Sequence, residues 1–251
     1  MIAYAFLTKT PNHTLIDFAQ RLYDKYKYDI YIFIDDDSFQ QKTLSTDINF
    51  IKIDKNDCIN KNICYCVEWS MDIVFQDQGN RKVYALDKSL YYFAYINKKY
   101  DFIWLIEDDV FIPSLEALYN IDTRYQNSDL LCANNDKCHP HQENEWFWPF
   151  ALKCFEHPVY CSMLCCCRIS AQLLDKITNY SLSKGFVPLH EFSFNTLAMQ
   201  NNLQVDCPQE LSTIFCKQGY KWTIQDFKDN PNNLFHPLKD FDNHEYYRSC
   251  I

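Results

Sequence analysis

The stretch that decides the fold of this chain reads Phe102-Ile103-Trp104-Leu105-Ile106-Glu107-Asp108-Asp109. It begins with five successive apolar residues, a run of strand length that is typical of a strand buried within a sheet. Three acidic residues follow without a break. Because open α/β sheets bind ligands at the carboxyl ends of their strands, we expect these acids to lie in a functional site.

Apolar runs and helical patterns alternate on both sides of this stretch. Before it, strands are predicted over residues 2–7, 29–34 and 48–53, and helices from Thr14 and over 83–97. After it, strands are predicted over 129–133, 160–167 and 202–206, and helices from the cap residue Ser170 and over 191–200. This alternation is the pattern of an α/β sheet covered by helices. No linker rich in proline, glycine or serine interrupts the chain, so we expect one domain over residues 1–251.

The composition excludes several common classes of binding protein. The chain of 251 residues has 33 acidic and 24 basic side chains and a formal net charge of −9, which argues against non-specific binding of nucleic acid. Its 3 glycines are Gly79, Gly185 and Gly219, so neither a G-x-G-x-x-G loop nor a Walker A loop can be written. We therefore expect neither a standard Rossmann site nor a P-loop.

The cysteines indicate a reducing compartment. There are 13, an odd number, and three of them are consecutive at Cys165, Cys166 and Cys167. Neighbouring residues of a strand point to opposite faces, so this run does not resemble a disulfide framework. The beginning of the chain has no basic leader, and no apolar stretch approaches the roughly 18–20 residues that span a bilayer. We expect a cytoplasmic protein without a transmembrane segment, whose thiols are mostly buried and reduced.

The acids that end the central run have the chemistry of a cation site. In an extended segment Glu107 and Asp109 point to one side and Asp108 to the other. Carboxylates so close together repel one another unless a cation lies among them. A hard divalent cation with oxygen ligands, whose shell is completed by phosphate oxygens, fits this cluster. A solvated acidic loop is the alternative, and the wholly apolar strand before the acids makes it the weaker one.

The same run, continued through Val110 and Phe111, resembles the strand and D-x-D-type motif of GT-A glycosyltransferases, which use nucleotide sugars. The resemblance implies a three-layer α/β/α sandwich with a mostly parallel mixed sheet, in which residues 1–112 bind the nucleotide and 113–251 the acceptor. In this family the last carboxylate of the motif binds Mn²⁺ or Mg²⁺ held by the donor's diphosphate. Asp109 is then the metal ligand and Glu107 its companion, with Asp108 between them in the donor site. A glutamate in the first position departs from the commonest spelling of the motif.

Other positions match elements of the same family. Members often end with a histidine that returns to the metal, and the segment from Phe235 to Lys239 resembles that element. The resemblance makes His236 a metal ligand and places Lys239 within reach of phosphate oxygens. It also makes Lys88 a donor contact and Glu191 the acidic catalytic residue of an inverting enzyme. The alternatives are a loop histidine for His236, a solvated helical turn at Lys88, and for Glu191 a helix-start carboxylate favoured by the dipole.

Two loops complete the implied donor site. In the family the loop after the first strand touches the nucleotide, and Thr8, Lys9 and Thr10 occupy it here. At the end of the next strand, Asp35-Asp36-Asp37 match the place where a carboxylate often holds the uracil or ribose. We assign Asp35 and Asp37 to the donor site, although the sequence does not single out one acid of the three. The implied partners are a UDP- or GDP-sugar and a glycan or other hydroxyl acceptor.

Two further clusters have more than one interpretation. The aromatic residues of Trp146-Phe147-Trp148-Pro149 either pack on sugar rings in an acceptor site or belong to the core. Four other residues are of types that suit zinc, but their spacing lacks a C-x₂₋₄-C pair; they are Cys132, Cys138, His139 and His141.

Two other classes of protein remain open. Residues 32–38 resemble the D-x-D nucleophile loop of haloacid-dehalogenase-type phosphatases, and an aspartyl nucleophile beside Mg²⁺ is sound phosphoryl-transfer chemistry. Against this, Ser38 stands where threonine or valine is usual, the motif lies on the second strand, and His236 has no role. The third class is a GT-A-shaped binding protein without catalysis. The sequence favours a metal-dependent glycosyltransferase over both.

Overall fold

The structure of the protein, a computed structural model, describes residues 1–36, 38–39, 47–66, 81–97, 99–145, 147–216 and 220–251. Asp37 and Trp146, both singled out above, lie outside these ranges. The strands are β1 (Ile2–Thr8), β2 (Asp29–Ile34), β3 (Asn49–Ile51), β4 (Tyr65–Cys66), β5 (Arg81–Lys82), β6 (Phe102–Glu107), β7 (Leu130–Leu131), β8 (Asp136–Lys137), β9 (Tyr160–Cys161), β10 (Cys166–Ser170) and β11 (Val205–Asp206). The α-helices are α1 (His13–Tyr26), α2 (Lys55–Asn60), α3 (Ala85–Tyr91), α4 (Leu115–Arg124), α5 (Trp148–Cys154), α6 (Ala171–Lys184), α7 (His190–Gln200), α8 (Ile224–Asp229) and α9 (His244–Ser249).

Seven of these strands form one mixed sheet in the order β11-β7-β10-β6-β1-β2-β3. The neighbours β6, β1, β2 and β3 are parallel, β10 runs antiparallel to both β6 and β7, and β11 is parallel to β7. The sheet is therefore mostly parallel, as predicted. The run that precedes the acids is β6, the central strand. Because β6, β1 and β2 are parallel and adjacent, their carboxyl ends lie at the same edge of the sheet.

Helices cover both faces of the sheet. The side chains of β1 alternate between two apolar clusters, with Ala3 and Ala5 in one cluster and Tyr4 and Phe6 in the other. The first cluster contains side chains of α6 and α7, and the second contains side chains of α1 and α4. Two helical layers with a buried sheet between them are a three-layer α/β/α sandwich. The predicted fold class is confirmed.

Several local bounds differ from the predictions. The N-cap of α1 is Asn12, whose side chain accepts a hydrogen bond from the backbone of Leu15, and not Thr14. Thr14 is buried and donates instead to the carbonyl of Phe241. The predicted helix over 83–97 is the short α3 followed by a π-helical turn, Tyr92–Ile96.

The predicted strand over 160–167 is divided into β9 and β10. Between them, the N–H of Ser162 donates to the carbonyl of Glu191 at 2.8 Å, and the N–H of Met163 donates to the side chain of Asn134 at 3.2 Å. These bonds replace the ladder that a continuous strand would need. Ser170 caps α6 as predicted, and its hydroxyl accepts from the backbone of Leu173.

The C-terminal segment returns to the end of β6. Isolated β-bridges join Phe111 to Phe235 and Ile214 to His236. Beneath them lies a separate buried cluster, which we call the aromatic anchor; it consists of Phe111, Phe227, Phe235 and Leu238. None of the helices in the described ranges is long and apolar enough to cross a membrane.

Candidate active site

A cleft of about 320 Å³ opens at the carboxyl ends of β1, β2 and β6. One wall carries Thr8 at the end of β1, Asp35 after β2, and the acidic triplet 107–109. The facing wall is formed by residues 84–87 at the start of α3 and 187–190 at the start of α7. The acidic triplet therefore lies in a cavity at the edge of the sheet, where a ligand site is expected in an open α/β fold.

The loops after β1 and β2 run side by side. The N–H of Asp35 donates to the carbonyl of Thr8, and the N–H of Asp36 donates to the carbonyl of Lys9, both at 3.0 Å. Lys9 is exposed and lines the cleft together with Thr8 and Asp35. Thr10 is also exposed, and its hydroxyl lies 3.3 Å from a carboxylate oxygen of Asp36. Three of the predicted donor residues thus meet in the cleft, and Thr10 lies beside Asp36.

The three acids of the triplet lie in different surroundings. Asp108 faces β1: its N–H donates to the carbonyl of Leu7 at 3.0 Å, and its carboxylate accepts from the hydroxyl of Thr8. Burial raises the pKa of Asp108, and the hydrogen bond from Thr8 opposes that rise. Burial, and then the charge of Asp109, raise the pKa of Glu107. Two of the acids are therefore held in an environment that disfavours their negative charge.

Asp109 forms the contact between the triplet and the C-terminal segment. Its Oδ1 lies 3.4 Å from Nε2 of His236, and its Oδ2 lies 3.8 Å from Nζ of Lys239. Burial by itself favours the neutral form of Asp109, but His236 outweighs it and lowers the pKa of that carboxyl. Burial likewise opposes the charged form of His236, and Asp109 outweighs it and raises the pKa of His236. The two predicted ligands, one after the central strand and one in the C-terminal segment, do meet.

His236 also meets Glu107 and a cysteine. One potential ligand atom from each of Glu107, Cys165 and His236 lies within 4.8 Å of the other two. Nδ1 of His236 is 3.0 Å from the carbonyl of Phe215, so Nδ1–H donates there, and in the neutral ring Nε2 is the nitrogen that can bind a metal. In the described part of the chain no hydrogen bond reaches the buried Oδ1 of Asp109. This donor set, with an orphaned carboxylate oxygen beside it, fits a divalent cation.

Asp87 and Lys88 are neighbours in α3. Lys88 is buried, and its ammonium donates to the carbonyls of Ile34 at 2.8 Å and Asp35 at 3.2 Å, so it supports the end of β2. Asp87 is buried, lines the cleft and accepts from the N–H of Tyr84 at 2.8 Å. Burial raises the pKa of Asp87 to about 8, against the effect of that hydrogen bond. A neutral Asp87 lessens the repulsion among the acids of the cleft.

A second cavity of about 730 Å³ lies on the other side of the start of α7. His190 lines the first cavity and the next residue, Glu191, lines the second. Burial lowers the pKa of His190 to about 4, so the imidazole is neutral at pH 7. Burial, and then the charge of Glu107, raise the pKa of Glu191 to about 7, while His236 acts in the opposite direction. Glu191 therefore lies close enough to the acidic triplet to feel the charge of Glu107, and it lines the second cavity.

Two further clusters were considered from the sequence, one of aromatic residues and one of possible zinc ligands. Trp148 is buried at the start of α5 and lines the second cavity. The four Cys and His residues considered for zinc do not form a close group of metal-binding side chains in the described ranges. Instead, the sulfur of Cys132 lies 4.0 Å from that of Cys207, and the rings of His139 and His141 stack at 5.8 Å.

Sequence reasoning missed Cys165 as a residue of the site. It treated this cysteine as one of a run of structural thiols. Cys165 reaches the acids because β10 runs antiparallel to β6, with Cys166 opposite Ile106, so that Cys165 comes opposite Glu107. No pattern in the sequence signals this pairing.

No family model matches the chain, and no curated protein matches it. Among solved structures, the chain is similar to an active-site mutant of LgtC. The likeness covers 100% of this chain and 95% of that one, with a TM-score of 0.47 and 9% sequence identity. The activity of the chain is therefore inferred from the residues of its own cleft.

Proposed function

We propose that this chain is a metal-dependent glycosyltransferase that moves a sugar from a nucleoside-diphosphate sugar to an acceptor hydroxyl. The observation that carries the proposal is the meeting of His236 with Asp109 and Glu107, which line a cleft at the end of the central strand. The cleft lies where open α/β sheets bind their ligands. A second cavity, which Glu191 lines, offers room for an acceptor.

The charge of the cleft supports the role of a cation. Five acidic side chains line it, namely Asp35, Asp87, Glu107, Asp108 and Asp109, whereas Lys9 is the basic one among its lining residues in the described ranges. A diphosphate would be repelled from such a surface. We propose that Asp109, Glu107 and His236 hold Mn²⁺ or Mg²⁺ together with the diphosphate oxygens. When bound, the cation neutralises the charge that develops on the leaving diphosphate.

The surrounding residues orient the donor. Lys9 and Lys239 extend from exposed positions and add positive charge at the rim of the cleft. Asp35 and, outside the described residues, Asp37 are proposed to hold the ribose or base. Lys88 fixes the backbone at Asp35 from behind, and Thr8 holds Asp108 against β1. The contacts made by Lys88 and Thr8 hold the backbone at Asp35 and the side chain of Asp108 in position before the donor binds.

Glu191 is the proposed general base of an inverting transfer. Glu191 lines the second cavity and interacts with the charge of Glu107 in the first, so an acceptor in the second cavity would approach the sugar beside it. A pKa of about 7 lets Glu191 accept a proton near neutral pH. If the enzyme retains the configuration of the sugar, no base is required at this place.

A donor screen tests the proposal. UDP- and GDP-sugars are incubated with the protein and Mn²⁺, and free nucleoside diphosphate is measured, because transferases slowly hydrolyse their own donor. Asp109→Asn should abolish this release, and the matched control Asp17→Asn, on the exposed side of α1, should retain it. Release of phosphate from phosphomonoesters instead would favour the phosphatase, and no release from either substrate would favour a binding protein.

A further inference from the structure

The antiparallel pairing of β10 with β6 brings Cys165 opposite Glu107, so its thiol lies at the acidic end of β6. The N–H of Glu107 donates to the carbonyl of Cys165 at 2.8 Å, one step beyond the pair formed by Cys166 and Ile106. Cys165 is buried, and its sulfur lies 3.5 Å from the sulfur of Met163, which is a weak acceptor. The thiol also hydrogen-bonds to the carboxylate of Glu107, so its sulfur already lies beside a proposed ligand of the cation.

The distances fit coordination of a single ion. The ligand atoms of Glu107, Cys165 and His236 are within 4.8 Å of one another. A first-row cation with bonds of about 2.0–2.3 Å holds its ligand atoms at most about 4.6 Å apart, so small side-chain movements suffice. The carbonyl of Phe215 accepts from Nδ1 of His236, which makes Nε2 of the neutral ring the metal-binding nitrogen, and Oδ1 of Asp109 lies 3.4 Å from Nε2. The arrangement supplies oxygen, nitrogen and sulfur ligands around one point.

We infer that Cys165 is a sulfur ligand of the cation held by Glu107 and His236, and that the site consequently prefers thiophilic ions such as Zn²⁺ and Co²⁺ over Mg²⁺. The inference rests on the cation site of the proposed function and assigns it a chemical selectivity. The thiol proton passes to solvent as the metal–sulfur bond forms. Soft thiolate ligands select such ions, whereas Mg²⁺ prefers carboxylates and water.

Cobalt spectroscopy tests the inference. One equivalent of Co²⁺ added to the metal-free protein should produce a thiolate-to-cobalt charge-transfer band in the near ultraviolet. The variants Cys165→Ser and Cys165→Ala should lose this band but should still bind Co²⁺ in calorimetry. The ratio of their affinities for Co²⁺ and Mg²⁺ should fall at least about tenfold. The matched control is Cys167→Ala, which removes another buried thiol of the same run from the opposite core cluster and should keep the band. Two variants are used so that poor folding of either one does not decide the result.

Each remaining outcome separates this inference from the proposed function. Co²⁺ binding that depends on His236 but gives no sulfur band overturns the role of Cys165 and leaves the cation site standing. A wild-type protein that binds no Co²⁺ overturns the inference together with the cation site. A sulfur band that requires Cys165, in a protein that hydrolyses no nucleotide sugar, supports the inference and contradicts the glycosyltransferase.

Discussion

Phe111 and Phe235 exchange both of their backbone hydrogen bonds, at 2.8 and 3.0 Å. The bridge places His236, the residue after Phe235, next to Asp109, which lies two residues before Phe111. A third backbone bond, from Leu238 to the carbonyl of Asp109 at 2.8 Å, fixes the same approach. The meeting of the two proposed ligands is thus a property of the backbone pairing and not of long, mobile side chains.

The aromatic anchor beneath this bridge should control metal affinity. The ring of Phe227 lies 4.9 Å from those of both Phe111 and Phe235. Phe227→Leu should loosen the bridge and weaken Mn²⁺ binding by about 10–100-fold, the usual effect of disturbing an outer-shell support. Calorimetry measures the affinity. The control is Phe155→Leu, which removes a buried ring from the cluster that contains side chains of α6 and α7 and should leave Mn²⁺ affinity unchanged. An equal loss of affinity in both variants would refute a specific role for the anchor.

Removal of His236 should affect the metal more strongly than disturbance of the anchor. We expect His236→Ala to reduce Mn²⁺-dependent binding of UDP by at least about 100-fold, because a ligand is lost and Asp109 is left buried without its partner. Binding is measured by calorimetry with and without Mn²⁺. The control is His157→Ala, which removes an exposed histidine paired with Glu143. Equal affinities of wild type and His236→Ala in the presence of Mn²⁺ would remove His236 from the site.

Glu191 should govern the pH dependence of transfer. Only the ionised form of Glu191 can accept a proton. The value of kcat/KM should therefore rise with pH and level off above about 7. A cation bound beside Glu107 shifts this limb to lower pH, since positive charge favours the ionised form. Glu191→Gln should lower kcat by about 10²–10⁴ and lose the acidic limb, with donor affinity retained.

The control for that profile is Glu156→Gln, which changes an exposed glutamate of the same type. It should reproduce the wild-type rate and pH profile. If Glu191→Gln also transfers sugar at the wild-type rate, Glu191 is a helix-start residue and the transfer proceeds with retention.

A buried ion pair should contribute strongly to the stability of the fold. Asp122 accepts from Arg168 at 2.6 Å and from the indole N–H of Trp104 at 3.0 Å, and the side chain of Arg168 is 0% exposed. Asp122→Ala leaves that charge buried and should lower the free energy of unfolding by about 3–5 kcal/mol in urea denaturation. Asp175→Ala, at an exposed position of α6, should change it by less than about 0.5 kcal/mol. A small loss for Asp122→Ala would mean that water or another partner compensates Arg168.

Asp87 should make the metal-free protein less stable as the pH rises. Its pKa in the fold is about 8, above the ordinary value of 3.8, so its contribution is complete below about pH 4 and is lost as the pH rises towards 8. Asp87→Asn keeps an acceptor for Tyr84 without a charge. In the presence of EDTA the variant should gain stability over wild type by at most about 1.4 kcal/mol per pH unit across this window. A difference that does not vary with pH would show that Asp87 is already ionised at low pH.

The position of the active cleft could be predicted because the information is local. A run of five apolar residues can be buried on both faces only inside a sheet, and the acids that end the run must then lie at its edge. The same reasoning applies to Asp35 after β2. Lys88 shows where such reasoning stops: its contact with the donor remains a prediction, whereas its hydrogen bonds to the carbonyls of Ile34 and Asp35 are seen only in the tertiary structure.

Contacts between distant segments depend on pairings that no segment encodes alone. The residue type of His236 suggested a metal ligand. Its distance from Asp109, however, is set by the bridge between Phe111 and Phe235 and by the packing under it. Cys165 enters the site because β10 is antiparallel to β6 in one register, and a shift by one residue would turn its side chain to the other face. Periodicity and composition specify elements and their buried faces, since these follow from the chain's own geometry. Register and long-range approach follow from the summed packing free energy of the whole sheet and its helices, which exists only once they are assembled.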